Sequence, residues 1–117
     1  DIELLNNIKT KKSIYIAMDF VDSKNIPVMN ISNEFTKQLL YAEGDITKVR
    51  FIIPNFDLRA MDYLISLWGG EVGTAGFDYI ENEIRIEVVE TDFFGTGAIP
   101  RAKQHGYFLI NSNCKNI

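Results

Sequence analysis

The chain has a single cysteine, Cys114, so it cannot close an internal disulfide. It also has no CxxC or Cys/His cluster to hold structural zinc. One histidine, His105, is present, which excludes mechanisms that need two and leaves no HExxH spacing. None of the serines sits in a GxSxG elbow. No apolar run approaches the ~20 residues that span a bilayer as a helix. The residues Asp1, Ile2 and Glu3 lack the basic and apolar regions of a secretory signal. A lone cysteine fits a reducing compartment, so a cytoplasmic location is expected. Bases do not exceed acids, 12 against 16, so no whole-protein basic field for nucleic acid exists.

The 117 residues suit one domain, expected over 1–117. Hydrophobic residues at 46% and charged residues at 24% are ordinary globular values, which excludes disorder and coiled coil. The net charge of −4 is unevenly spread. Residues 1–68 hold nine acids and eight bases. Residues 69–92 hold seven acids (Glu71, Asp78, Glu81, Glu83, Glu87, Glu90 and Asp92) against one base, Arg85. Residues 93–117 hold three bases, Arg101, Lys103 and Lys115, and no acid.

Period-two alternation over residues 13–21 puts Ile14, Ile16, Met18 and Phe20 on one face and predicts a strand. Residues 2–8 suggest a short helix before it. Residues 26–31 are extended, and Pro27 marks an edge strand. Ser32 or Asn33 is expected to cap a helix through about Glu43, with Phe35, Leu39 and Ala42 on one face and Gly44 ending it. Residues 48–53 suggest a central strand. Leu58, Met61, Leu64, Ile65 and Trp68 form a helical stripe, with Arg59, Asp62 and Ser66 opposite and Gly69-Gly70 as the stop. Residues 76–80 and 83–90 flank Glu81-Asn82 as a hairpin, with Ile84, Ile86 and Val88 inward and a bulge near Val88-Val89. Residues 107–110 suggest a last strand before a polar tail. The expected architecture is α+β, or α/β. It is one mixed sheet of about five strands with two main helices packed on it, and a C-terminal half of mostly antiparallel strands.

The glycine-rich segment 69–76 follows a predicted helix and leads into a strand, the reverse of a phosphate cradle. Gly95-Thr96-Gly97 lacks a following helix signal, although Arg101 and Lys103 nearby suit an anion. Asp19 and Asp22, and Asp78, Glu81 and Glu83, are carboxylate groups without metal-fixing spacing, so no metal and no cofactor are expected. Cys114 lies in the polar tail, away from any base that would activate it. Phe93 and Phe94 are adjacent and cannot both face one core, which makes one a candidate anchor for a partner.

These features favour a non-enzymatic binding module. Its expected partner is a basic protein, such as a nuclease toxin, inhibited in the manner of an immunity protein or antitoxin. The expected contact residues are Asp78, Glu81, Glu83, Glu87, Glu90, Asp92, Phe93 and Phe94. Direct binding of nucleic acid or membrane is not expected. Two other classes compete. One is a small enzyme acting on a phosphorylated or nucleotide substrate through Arg101, Lys103, His105 and strand-end acids. The other is an assembly subunit of a phage or secretion system. An acidic strand face that merely confers solubility needs no partner at all.

Overall fold

A computed structural model describes residues 1–74, 76–100 and 106–117, and for Asn6, Asn7, Ile8, Phe77 and Asp78 it describes the backbone alone. The described residues form strands and no helix: β1 (Ile2–Val21), β2 (Pro27–Ser32), β3 (Leu40–Val49), β4 (Asp62–Glu71) and β5 (Gly76–Glu87). They build one antiparallel sheet in the order β2-β1-β4-β5, with β3 also paired to β1. The expectation of two helices on a mixed sheet is therefore wrong.

β1 organises the sheet. Its residues Ile14 to Val21 pair with β4 in unbroken register, from Ile14 opposite Glu71 to Val21 opposite Leu64. Its other edge takes β2 along Ala17 to Val21 and β3 along Ile2 to Ile14. β2 and β3 are thus two parts of one ladder, separated by an excursion over residues 33–39. Asn33 closes the gap. Its backbone N–H donates to the Ile16 carbonyl at 3.4 Å. Its side-chain Oδ1 accepts the Ile16 N–H at 2.8 Å, and its Nδ2 donates to the carbonyls of Ile14 and Gln38 at 3.3 and 3.0 Å. A side-chain amide carries the same donor and acceptor as a peptide, so it can stand in for a missing strand residue.

This explains the first helix that does not form. The spacing of Phe35, Leu39 and Ala42 fits a helical face, yet Phe35 and Leu39 are 77% and 73% exposed and only Ala42 is buried. Asn33 satisfies the β1 backbone instead of capping a helix. Tyr41, Ile46, Thr47 and Val49 are residues that suit a pleated surface. Gly44, at φ 73°, lies opposite Ile8 in a stretch where the β1–β3 register shifts, and does not end a helix.

The second stripe fails for a different reason. β4 lies between β1 and β5, and its apolar residues point to both sides. Tyr63 and Ile65 enter the core with Phe20 and Leu58. Trp68 lies on the other face, its ring tilted against Tyr79 at 6.2 Å. A run with both faces apolar satisfies a helical spacing by chance. Gly69 and Gly70 are strand residues. A Cβ on Gly70 would lie 2.7 Å from the Tyr15 ring, so glycine is what lets that ring cross β4.

The proposed hairpin turn at Glu81-Asn82 is a bulge inside β5. Ile65 faces Ile84 and Leu67 faces Ile80, so residues 81–83 oppose Ser66 alone. Asn82 adopts φ 52°; its N–H donates to Ser66 Oγ, and Ser66 Oγ donates to Asn82 Oδ1, both at 2.9 Å. The actual reversal follows Glu71, where Thr74 N–H donates to the Glu71 carbonyl at 3.1 Å and Gly73 takes φ 81°. Residues 2–8 belong to β1 and residues 50–53 to a loop. Residues 107–110 contribute one isolated bridge, Phe108 to Leu58. The strands expected over 13–21 and 26–31 are present, the latter at the edge of the sheet.

The sheet curls. Ile2 and Leu4 pack on the cluster of Ile14, Ile16, Ala42 and Val49. A straight strand would hold Ile2 and Ile14 about 40 Å apart. The register shifts of β1 against β3 between Leu5 and Lys12 supply the bend. A second cluster, Phe20, Leu58, Tyr63 and Ile65, is covered by Met18, Met29, Ile86, Val88 and Tyr107 among others.

Candidate functional site

β5 is an edge strand and carries most of the acidic segment. Glu81, Glu83, Glu87 and the following Glu90 are all exposed, and none makes an ion pair among the described residues. The intervening Arg85 pairs instead with Asp62 on β4. Ile86 and Val88 pack on the core, while Ile84 remains 38% exposed. The bulge at Asn82 is tied to the loop after β1 through Asn82 Nδ2, which donates to Asn25 Oδ1 at 2.8 Å. Three unpaired carboxylates, Glu81, Glu83 and Glu87, therefore lie along one supported sheet edge with Glu90 just beyond it, an arrangement that attracts a positive surface.

Other members of the expected set are used differently. Glu71 pairs with Lys12 at 3.6 Å. Asp92 accepts the Thr96 and Gly97 N–H groups at 3.1 Å, and its carbonyl accepts the Gly95 N–H at 3.0 Å. The Gly95-Thr96-Gly97 loop thus folds around an internal carboxylate. Phe93 and Phe94 are half-buried and meet edge to face at 5.0 Å. The Asp78 side chain lies outside the described residues, as do Arg101, Lys103 and His105, on which an enzymatic reading depends.

The strand-end acids of β1 are structural. Asp19 accepts from Asn30 Nδ2. Asp22 is buried, and its Oδ1 accepts the N–H groups of Lys24 and Ile26 at 2.8 and 2.9 Å. Its Oδ2 accepts the Tyr107 hydroxyl, which fastens the C-terminal segment to the end of β1. The Tyr107 hydrogen bond, followed by the Ile26 amide, holds the Asp22 carboxyl below the ordinary aspartate range, although burial opposes the shift. Among the described residues no group of three or more His, Cys, Asp or Glu could hold a metal ion. Cys114 is free and exposed.

Sequence reasoning missed one feature. A groove of about 410 Å³ opens beside the C-terminal end of β5, walled by Phe56, Leu58, Ile86, Val88, Phe93 and Ile99. Arg59, which the helical reading placed opposite the apolar stripe, also lines it. No local spacing signals this groove, because its walls come from segments far apart in the chain.

Among the described residues no helix is long and apolar enough to cross a membrane. No protein-family model matches the chain, and no match is found among curated proteins or among solved structures.

Proposed function

We propose that the chain is a non-enzymatic protein-binding module whose acidic β5 edge docks a basic protein, with a nuclease toxin as the model partner. The observation that carries this reading is the row Glu81, Glu83 and Glu87 on an edge strand, continued by Glu90 just after it, all exposed and without an ion-pair partner among the described residues. Held against a basic active-site cleft, these carboxylates would occupy the place of substrate phosphates and so inhibit. The exposed thiol of Cys114 suits a reducing, cytoplasmic setting. Charges on an open edge also discourage strand-to-strand aggregation, and that role requires no partner.

The two roles respond differently to one experiment. A partner is captured from the native source, and its association is followed for wild type and for the combined Glu83→Gln, Glu87→Gln, Glu90→Gln variant. Docking through the acids predicts an on-rate at least tenfold lower at low salt and a shallower salt dependence, with a smaller change in off-rate. Unchanged association kinetics with an intact fold would reduce the acids to a solvated edge. Concentration-dependent self-association of the variant, with partner binding unchanged, would assign them to edge protection.

A further inference from the structure

β5 pairs with β4 along one side, and among the described residues no strand lies on its other side. The backbone N–H and C=O groups on that outer side form an edge without a partner strand, a template for one more. The side chains there are uncovered too. Ile80 and Ile84 stand opposite Leu67 and Ile65, on the face that holds the core. They are nevertheless 37% and 38% exposed, with no strand among the described residues beyond β5 to cover them. A second groove, of about 260 Å³, opens beside Ile80, and its walls include Ile2, Leu4, Ile16 and Leu67. β4 pairs with β1 only from Ile14 onward, so the same edge of β1 at Ile2 and Leu4 carries no strand among the described residues. The curled sheet thus stops short of closing, with a free strand edge on each side of an apolar groove.

The charges narrow the occupant. β5 holds four acids, Asp78, Glu81, Glu83 and Glu87, against one base, Arg85. A second copy would bring two such edges together, so like charges oppose self-pairing. Alternation from Ile84 and Ile86 puts Glu83 and Glu87 on the opposite face, where Arg85 pairs with Asp62 and leaves both without a cation among the described residues. Across the groove, Asp1 and Glu3 are already paired with Arg50 and Lys48. The bulge at residues 81–83 deters a flat, unselected strand. Resting on the docking of a basic protein at this edge, we propose that the partner contributes an extended strand that adds to β5. Its apolar side chains, at every second position, enter the groove and cover Ile80 and Ile84. The basic side chains between them stand beside Glu83 and Glu87. Main-chain hydrogen bonds give such pairing its affinity, and the alternate side chains give it selectivity.

The test titrates the full chain with a capped nonapeptide that alternates lysine and valine. The comparison peptides are one of the same composition with lysines first and valines last, and an alternating glutamate–valine peptide. Binding is followed by calorimetry, and exchange of the β5 amide hydrogens by NMR. The alternating lysine peptide should bind at one site, at least tenfold tighter than either comparison peptide. It should also slow exchange of the β5 amides that do not bond to β4. Ile80→Ser combined with Ile84→Ser should weaken it at least tenfold, and the exchange measurement on wild type reads the pairing even if that variant does not fold. Equal binding of the block peptide without β5 protection would overturn strand addition. Acidic docking would survive that result if the combined Glu83→Gln, Glu87→Gln, Glu90→Gln variant still slowed partner association. Equal binding of the glutamate peptide would remove the need for a basic partner and overturn both readings. No binding by the folded chain, unchanged binding by a folded serine variant, or β5 protection that grows with protein concentration in the absence of peptide would each overturn strand addition by a partner.

Discussion

Asn33 replaces a residue of the β2–β3 ladder with its own side chain, at 5% exposure. Replacing it by Ala would leave the Ile16 N–H without an acceptor and the Ile14 carbonyl without that donor. Stranding a buried polar group costs about 1–3 kcal/mol, so Asn33→Ala should lower unfolding stability by roughly 2–3 kcal/mol in urea titrations. A loss under half a kcal/mol would show that water repairs the gap. Two other residues set the pH behaviour. Because Asp22 has a lowered pKa, its contribution is complete above the unfolded value near 3.8 and is lost as pH falls through the folded one. Tyr107→Phe removes the largest cause of that shift, so acid unfolding should begin at higher pH than in wild type. Tyr63 behaves oppositely. Burial, foremost, pushes its phenol up to about 12, so its stabilising effect persists below pH 10 and fades between pH 10 and 12. Absorbance near 295 nm should therefore record fewer ionised tyrosines at pH 11 in the folded chain than in urea.

At the scale of elements, β4 is held by β1 on one side and β5 on the other, and the Tyr15 ring crosses it at Gly70. Gly70→Ala should destabilise the chain by about 1–3 kcal/mol through overpacking against that ring. Removing the ring with Tyr15→Ala should make the added methyl nearly neutral. A double-mutant cycle reads this coupling directly, and additive effects would show that the close approach is relieved elsewhere. The same element shows why helical spacing misled. Leu58, Met61, Leu64, Ile65 and Trp68 fit a helix, but so does almost any central strand whose two faces are both covered. Leu58 belongs to the preceding loop, and only Leu64, Ile65 and Trp68 of that set lie in β4. By contrast, β1 around residues 13–21 was legible as a strand, because Ile14, Ile16 and Phe20 of the predicted face are buried at 1%, 3% and 3% with Met18 packed beside them, although Ala17 and Val21 on the other face are buried too. The bulge in β5 was half legible. Asn82 does mark a break, yet the sequence around it does not say whether the chain reverses there or only buckles.

At the scale of the whole molecule, the chain is elongated, 61 × 32 × 21 Å with a Cα radius of gyration of 17.8 Å. A compact chain of about 100 residues measures about 13 Å. Small-angle scattering should therefore give a radius well above the compact value, and circular dichroism should show sheet without a helical minimum at 222 nm. A compact radius or a strong helical signal would contradict the architecture. The sequence by itself determined what depends on neighbours along the chain. It set the buried face of the early β1 repeat, the edge character conferred by Pro27, and the concentration of acids at 71–92. It also excluded an internal disulfide, because one cysteine has no second cysteine in the chain to pair with. Only the tertiary structure decided that neither helical stripe forms a helix, that Asp92 serves a loop while Glu81, Glu83 and Glu87 share an edge strand with Glu90 just beyond it, and that Arg59 lines a groove. Each of those outcomes depends on partners far away in the chain, β1 for β3 and β4, and Tyr107 for Arg59. A local pattern carries no record of which distant strand will satisfy its backbone.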